Sequence, residues 1–226
     1  IRYFLVLFDG SLVPYSVDGI ASSNMTRGHY IQSNKIIEVK SIADYENLLA
    51  ENRVLIDHRA RKERIRKDLA DAAARCGGCV AEDEALLDTV TFLVEDPHIV
   101  TCSFDKSYLD IPDIALIAEM KEHQKYFPVM GKDGRLTDRF LVVSNNPSNE
   151  NVIEGNRRVV TARFNDAKFF FTEDRKMKLA DRVPGLRDVL FHKELGSIYQ
   201  KIERMQKIAS VMTGKLGLDK KTADNV

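Results

Sequence analysis

The chain has 226 residues, 44% hydrophobic and 30% charged, and its 34 basic and 34 acidic side chains give a formal net charge of zero. This composition indicates a globular protein and excludes one that binds polyanions through overall positive charge, so a nucleic-acid contact requires a local basic patch. No apolar run approaches the roughly 20 residues of a membrane span. Three cysteines, an odd count, argue against a disulfide scaffold. We therefore expect a cytoplasmic protein.

The first part of the sequence alternates short strands with helices. Residues 2–8 are β-branched and aromatic, and Asp9-Gly10 after them predicts a hairpin with a partner strand over residues 12–17. Further strands are predicted at residues 35–39, 53–56, 99–104, 126–130 and 140–144, with Gly131-Lys132-Asp133-Gly134 as a second hairpin loop. Helices are predicted from a cap at Ser41 to Asn52, and over residues 59–76, 82–94, 112–122 and much of 149–172.

The end of the sequence is different in kind. Apolar residues keep a 3.6-residue period from Leu195 to Met212, and no strand signal follows. We therefore predict an α+β protein in which residues 1–175 form a mixed α/β domain and residues 176–226 begin an all-helical one. Because the sequence lacks an initiator methionine and opens directly into strand-like residues, we expect a piece of a longer protein.

Charge is unevenly spread along the chain. Seven basic side chains between Arg53 and Asp68 face three acidic ones, whereas only Lys106 and Lys121 are basic between Ala81 and Glu122. Such an asymmetry could steer a polyanion to one side of the molecule. Each run alone is more often an ordinary solvated helix face.

A Cys76-Gly-Gly-Cys79 pair is the most conspicuous chemical motif. Zinc would need two further ligands, which Cys102 with His98 or His123 could supply. A redox pair would place its first cysteine near a helix N-terminus, but this pair follows the C-terminal end of a predicted helix. A lone CxxC is a weak signal, and we assign it no function.

Three polar clusters are candidates for binding. His123-Gln124-Lys125-Tyr126-Phe127-Pro128 lies at a predicted helix-to-strand junction, and its side chains suit either phosphate contact or a helix end and a core tyrosine. Thr26-Arg27-Gly28-His29 is either a ligand loop or, more commonly, a turn. Gly155-Asn156-Arg157-Arg158 with Arg163 places basic groups on one helix. The phosphate-loop, GxGxxG, GxSxG and HExxH motifs do not occur in the sequence.

Taken in order, these segments resemble the middle of the glycyl-tRNA synthetase beta subunit of bacterial type. The resemblance covers nearly the whole chain. It is carried by Thr26–His29, Val54–Asp57, Arg61–Ile65, Met120–Val129, Phe140–Asn145, Gly155–Val160, Ala162–Phe171, Asp174–Lys176, Val189–Phe191 and Leu195–Gly196. The HQKYFP and ARFNDAKFFF stretches are its most specific parts, and the cysteine pair is not part of the family pattern.

The resemblance implies a fold and a role. It implies an editing-type domain similar to that of phenylalanyl-tRNA synthetase, followed by the first helices of an HD-type domain that lacks the HD metal ligands. The holoenzyme would pair alpha and beta subunits as a heterotetramer and use ATP and Mg²⁺ to join glycine to its tRNA, with catalysis in the alpha subunit. This part would hold no catalytic residue, cofactor or metal.

The resemblance and the clusters together give candidate contacts to glycine tRNA. They are Arg27, His29, Arg59, Arg61, Arg64, His123, Gln124, Lys125, Arg157, Arg158 and Arg163. Two other functions stay open. One is a hydrolytic editing site in which His123 or Thr26 positions a water, and the other is a docking module for the alpha subunit.

Overall fold

The structure is a computed structural model that describes residues 4–225. The first two residues of the strand predicted over residues 2–8 lie outside the described range. The chain is a mixed α+β protein that divides into two compact units, one ending at Lys168 and the other beginning at Phe169. Among the described residues, no helix is both long enough and apolar enough to span a membrane.

The first unit opens with paired short strands. They are β1 (Phe4–Leu5), β2 (Leu7–Phe8), β3 (Ser11–Leu12), β4 (Ser16–Val17), β5 (Ile20–Ser23), β6 (Met25–Arg27) and β7 (Ile36–Glu38). The antiparallel pairs are β2–β3, β4–β5 and β6–β7, while β1 runs parallel to β5. Strand β7 confirms the prediction at residues 35–39.

The predicted hairpin at Asp9-Gly10 is confirmed. Asp9 and Gly10 have φ of 47° and 74° and connect β2 to β3, as a two-residue turn requires. The single partner strand predicted over residues 12–17 is wrong, because β3 and β4 are separate strands with Pro14 between them, a residue that lacks a backbone donor. A second Asp-Gly pair, Asp18-Gly19, turns β4 into β5 with φ of 51° and 79°.

Three helices follow. Helix α1 (Ile42–Glu51) begins where the Ser41 hydroxyl accepts the Asp44 N–H at 3.3 Å, as predicted. Helix α2 (His58–Arg75) is capped by Asp57, and helix α3 (Glu84–Thr91) is shorter than predicted at both ends, with Asp83 as its N-cap and Phe92 as its C-cap. The strand predicted over residues 53–56 is wrong. That segment is a link without a strand ladder, in which the Leu55 N–H donates to the Glu95 carbonyl.

A four-stranded antiparallel sheet forms the centre of the first unit. Its strands β8 (Cys79–Val80), β9 (His98–Ser103), β10 (Phe127–Met130) and β11 (Leu136–Ser144) lie in the order β8-β10-β11-β9. The strands predicted at residues 99–104, 126–130 and 140–144 are confirmed. The predicted hairpin loop is also confirmed, since Gly134 has φ of 74° and donates to the Gly131 carbonyl at 3.0 Å.

Helices cover both faces of this sheet. Helices α2 and α3 pack on one face against Phe127, Val129 and Leu141. Side chains alternate along a strand, so Phe140 and Cys102 point to the other face. Helix α5 (Glu150–Arg175), longer than predicted, packs there through Phe164, whose ring meets that of Phe104 at 4.9 Å between centroids. Helix α4 (Asp113–Ala118) and a π-helical turn (Glu119–His123) precede β10.

The second unit contains the end of α5 and mainly helical sequence. Helix α6 (Leu179–Arg182), a 3-10 turn (Val183–Arg187), helix α7 (Ile198–Lys215) and helix α8 (Lys220–Asp224) account for most of it. A two-stranded hairpin of β12 (Leu190–His192) and β13 (Gly196–Ser197) was not predicted. The expected domain boundary at residue 175 coincides with the end of α5, whereas the division of the two units falls within that helix.

Candidate nucleic-acid interface

Two basic side chains of α2 bind acidic side chains of the neighbouring helix α3. Lys62 lies 3.0 Å from Glu84 and 2.5 Å from Asp88 on α3, and Arg66 also binds Glu84. Hydrogen bonds from Arg66 and then Lys62 lower the pKa of Glu84 to about 2. Part of the basic run therefore pairs with part of the acidic run across the α2–α3 contact, which reduces the charge asymmetry that could steer a polyanion.

Arg61 is a buried structural residue. Its Nε donates to the Thr91 carbonyl at 2.8 Å, and Nη1 donates to the Leu55 carbonyl. Burial lowers the pKa of its guanidinium. Arg61 thus connects the end of α3 to the segment that precedes α2, and the residue is only 8% exposed.

Arg64 is also held by protein groups. Its Nη1 lies 3.3 Å from Asp96, its Nη2 donates to the Pro97 carbonyl at 3.1 Å, and its Nε lies 3.7 Å from Asp68. Arg59, in the first turn of α2, is exposed. Of the three α2 candidates, Arg61 is buried, Arg64 is partly exposed but held by protein groups, and Arg59 is exposed and has no ion pair within residues 4–225.

The Thr26–His29 cluster is a packed turn. His29 is fully buried, and its Nδ1 accepts the N–H groups of Ile31 and Gln32 at 3.3 and 3.1 Å. A Cβ added to Gly28 would lie 2.5 Å from the Ser33 carbonyl oxygen, so the close approach requires glycine. Arg27 is half-buried at the end of β6. This geometry corresponds to the turn interpretation of the cluster.

The cysteine pair is explained by backbone packing. Gly77 has φ of 76° just after the C-terminal cap of α2. A Cβ on Gly78 would lie 2.3 Å from the Met130 carbonyl oxygen of the adjacent strand. The two glycines thus allow the chain to leave α2 and enter the sheet at β8.

Cys102, considered from the sequence as a further zinc ligand, lies far from the Cys76–Cys79 pair. Cys79 is in β8 and Cys102 is in β9, at opposite edges of the sheet, three strand spacings or roughly 14 Å apart. The Cys102 thiol donates to the Ile153 carbonyl at 3.9 Å, and burial raises its pKa to about 11. A zinc site that joins Cys102 to the pair is therefore wrong. Within residues 4–225, no three His, Cys, Asp or Glu side chains cluster so as to hold a metal ion.

The helix-to-strand junction combines a core residue with surface groups. Lys125, at φ of 59°, follows the π-helical turn, and the Tyr126 N–H donates to the Met120 carbonyl at 2.9 Å. Tyr126 is buried, stacks on Phe140 at 5.2 Å, and donates to Asn156 Oδ1 at 2.6 Å. Burial raises the pKa of its phenol to about 12. Tyr126 thus fills the core and fixes α5 on the sheet.

Glu119 brings two predicted site residues together. His123, whose side chain is 63% exposed, lies 3.7 Å from Glu119, and Arg163 of α5 lies 4.0 Å from the same carboxylate. Arg163 also lies 4.0 Å from Asp166. Gln124 is half-buried beside His123. On this side of α5, the cation Arg163 therefore lies next to acidic side chains.

A different face of α5 is more cationic. Glu154, Arg157, Arg158 and Thr161 follow the i, i+3, i+4, i+7 spacing that places residues on one helix face. The Arg157 side chain is 54% exposed and binds Glu154 at 2.7 Å, whereas Arg158 is exposed and, within residues 4–225, pairs with no carboxylate. We call this set, with Lys168 two helical turns further along, the α5 basic face.

Sequence reasoning missed Lys168. It lies seven residues after Thr161, and its Nζ is 5.7 Å from the centre of the Tyr108 ring. The signal was available, because Arg157, Thr161 and Lys168 keep the helical repeat. The predicted α2 candidates lie on the opposite side of the sheet from this face, so the structure does not gather all predicted contacts into one surface.

Comparison with known proteins identifies the family. A family model described as glycyl-tRNA synthetase beta subunit matches residues 1–225. The chain is 39% identical to the glycine–tRNA ligase beta subunit of Syntrophus aciditrophicus over 96% of its length and 32% of that relative's. It is 41% identical to the beta subunit of Clostridioides difficile, over 98% of this chain and 33% of that relative. It is 40% identical to the beta subunit of Aeromonas hydrophila, over 95% of this chain and 32% of that relative.

These matches place the chain among subunits of the aminoacyl-tRNA synthetases. It belongs to the glycyl-tRNA synthetase beta subunit family, and it spans about a third of the length of the relatives it matches.

Proposed function

We propose that this chain contributes tRNA recognition and subunit scaffolding to a glycine–tRNA ligase beta subunit, with the α5 basic face as its tRNA contact. The observation that supports the proposal most is the exposure of Arg157 and Arg158 on the helix face that also carries Lys168, whereas on α2 Arg61 is buried and Lys62, Arg64 and Arg66 are paired with carboxylates. Guanidinium groups bind phosphate oxygens through paired hydrogen bonds, so such a face suits an RNA backbone. Buried His29 and Arg61 are left out of this interface.

The wider role follows from the family. We assign the joining of glycine to its tRNA, with ATP and Mg²⁺, to an alpha subunit that pairs with this beta subunit as a heterotetramer in the cytoplasm. The first unit is proposed to correspond to an editing-type domain without hydrolytic activity, and the second unit to the start of an HD-type helical domain. The α+β character of the first unit and the mainly helical second unit support this correspondence.

The test is a filter-binding titration of the assembled alpha–beta enzyme with glycine tRNA at several salt concentrations. Reversing two charges in R157E/R158E is expected to weaken binding by at least about tenfold at low salt, and to reduce the slope of log affinity against log salt by about 1.5–2. The slope falls because binding releases fewer counterions when the protein neutralises fewer phosphates.

A matched variant separates this face from overall charge. K67E/K132E makes the same charge change at exposed positions in α2 and in the β10–β11 loop. It is expected to keep most of the affinity and the salt slope. An equal loss in both double variants, or no loss in R157E/R158E, would refute the assignment of α5 as the interface.

A further inference from the structure

A cavity of about 490 Å³ opens beside the α5 basic face. It lies between the end of β9, the 3-10 turn Lys106–Asp110 and α5, all within the first unit. Its lining includes Ser103, Asp105, Tyr108, Arg157, Arg158 and Thr161. Its volume is within the range of sites that hold small ligands.

One side of the cavity is suited to an anion. Arg157 uses Nε and Nη2 to bind Glu154 at 2.8 and 2.7 Å, and its Nη1 has no hydrogen bond within residues 4–225. Arg158 lines the same side and is exposed. A phosphate group here would meet one oriented guanidinium and one without an acidic partner.

The other side is suited to hydrogen-bond donors. Asp105 accepts the Ser107 N–H at 2.8 Å, and that bond lowers the pKa of its carboxyl group, so the group stays ionised at neutral pH. The hydroxyl group of Ser103 adds a donor and an acceptor there, and the buried ring of Tyr108 contributes an apolar wall, while the Thr161 hydroxyl group lies on the α5 side with the arginines. An inorganic anion would gain nothing from Asp105, because like charges repel.

We propose that this cavity binds one nucleoside phosphate unit of an RNA strand, with the phosphate at Arg157 and Arg158 and the ribose or base donors at Asp105 and the hydroxyl groups. The inference rests on the proposed function and deepens it, since the cavity shares two arginines with the α5 basic face. It assigns to that face a recessed contact in addition to a purely electrostatic one.

Thr161→Phe in the full beta subunit, assembled with the alpha subunit, tests the cavity without removing a cation. Thr161 is half-buried in the cavity wall, and phenylalanine and threonine have similar helix propensities. Filling the cavity is expected to weaken glycine tRNA binding about tenfold while the salt slope stays unchanged, because the number of phosphates bound by arginine is nearly conserved. Thr161→Val, which replaces only the hydroxyl group with a methyl group of similar size, is expected to have a smaller effect of about threefold.

The second measurement is equilibrium dialysis of the full beta subunit with uridine 5′-monophosphate, uridine and inorganic phosphate. The nucleotide is expected to bind at least about tenfold more tightly than either part alone, because it engages both sides of the cavity. Thr161→Phe and Arg158→Ala are both expected to abolish that preference, and Lys132→Ala to leave it unchanged.

The outcomes separate the two proposals. Wild-type tRNA affinity in Thr161→Phe together with weaker binding in R157E/R158E would overturn the cavity inference and leave the α5 interface in place. Wild-type affinity in both would overturn both. Equal binding of uridine, phosphate and the nucleotide would also overturn the cavity inference.

Discussion

Helices α2 and α5 both carry runs of arginine and lysine, and both pack on the same sheet from opposite faces, but their cations have different environments. On α2, Arg61 is buried against two carbonyl groups, and Lys62 and Arg66 bind carboxylates of α3. On α5, the packing face is aromatic and the cations lie on the solvent side.

The difference lies in what surrounds each helix. Helix α2 has an acidic helix beside it, so its charges contribute to packing between the two helices. Helix α5 is anchored by Phe164 and by tyrosine–asparagine hydrogen bonds, contacts that involve no charged side chain. Local charge counts therefore identify a basic helix, but only its neighbours determine whether the charge is available to a partner.

The largest expected effect is on the anchor of α5. Phe164 is fully buried against Phe104 and Tyr108, and Phe164→Ala is expected to lower the free energy of unfolding by about 3–5 kcal/mol. Arg163→Ala, at the adjacent exposed position, is expected to change it by less than about 0.5 kcal/mol. Urea unfolding of the full beta subunit measures both. Similar losses would contradict the division of α5 into a buried packing face and a solvent-exposed side.

The next effect contrasts one arginine from each helix. Arg61→Met removes the donors that satisfy the Thr91 and Leu55 carbonyl groups, and we expect a loss of about 2–3 kcal/mol in the free energy of unfolding. Arg158→Met, the matched change at an exposed position of α5, is expected to stay within about 0.5 kcal/mol. If Arg61→Met unfolded at the same urea concentration as wild type, the structural role of Arg61 would be refuted.

A smaller effect concerns the hydrogen bond that fixes α5. Tyr126→Phe leaves Asn156 Oδ1 without its 2.6 Å donor, and a loss of about 1 kcal/mol in the free energy of unfolding is expected. The loss should not depend on salt, because both partners are neutral. Tyr15→Phe, at a residue 62% exposed, provides the control and is expected to be nearly silent. A marked salt dependence would show that the bond is not the cause.

Much of the first unit is predictable from sequence because its signals are local. Asp9-Gly10, Ser41 and Gly131–Gly134 act through backbone conformation or capping over a few residues, and the structure has the turn, cap and loop that they predict. The strand predicted over residues 53–56 failed because β-branched composition does not supply a partner strand. The link instead uses tertiary contacts to Glu95 and Arg61, which no local pattern reveals.

The candidate site was harder to predict because it depends on tertiary contacts and not on local sequence signals. Arg61 and Arg158 are equally basic in sequence, and only the position of α3 separates a buried arginine from a free one. Lys168 could have been found from helical spacing alone. The cavity could not, because β9, the 3-10 turn and α5 contribute its lining from separate parts of the chain.

The smallest effect returns to the paired charges of α2. The pKa of Glu84 lies at about 2, below its ordinary 4.5, because Arg66 and then Lys62 donate hydrogen bonds to it. A depressed carboxyl pKa contributes stability that is present above pH 4.5 and is lost as the pH falls towards about 2. Glu84→Gln is therefore expected to be less stable than wild type at neutral pH. Near pH 2 the two proteins should have the same free energy of unfolding.

Exposure limits the size of this difference, and salt should reduce it further because the pair is screened by solvent. Urea midpoints of wild type and Glu84→Gln across this pH range, at low and high salt, provide the measurement. Asp71→Asn, which removes one exposed carboxylate of α2 that has no ion pair within residues 4–225, is the control for the loss of a negative charge. A difference between wild type and Glu84→Gln that persists unchanged at acid pH would mean that Glu84 acts by packing. In that case charge pairing would not stabilise the α2–α3 contact, and the contrast between α2 and α5 would not be electrostatic.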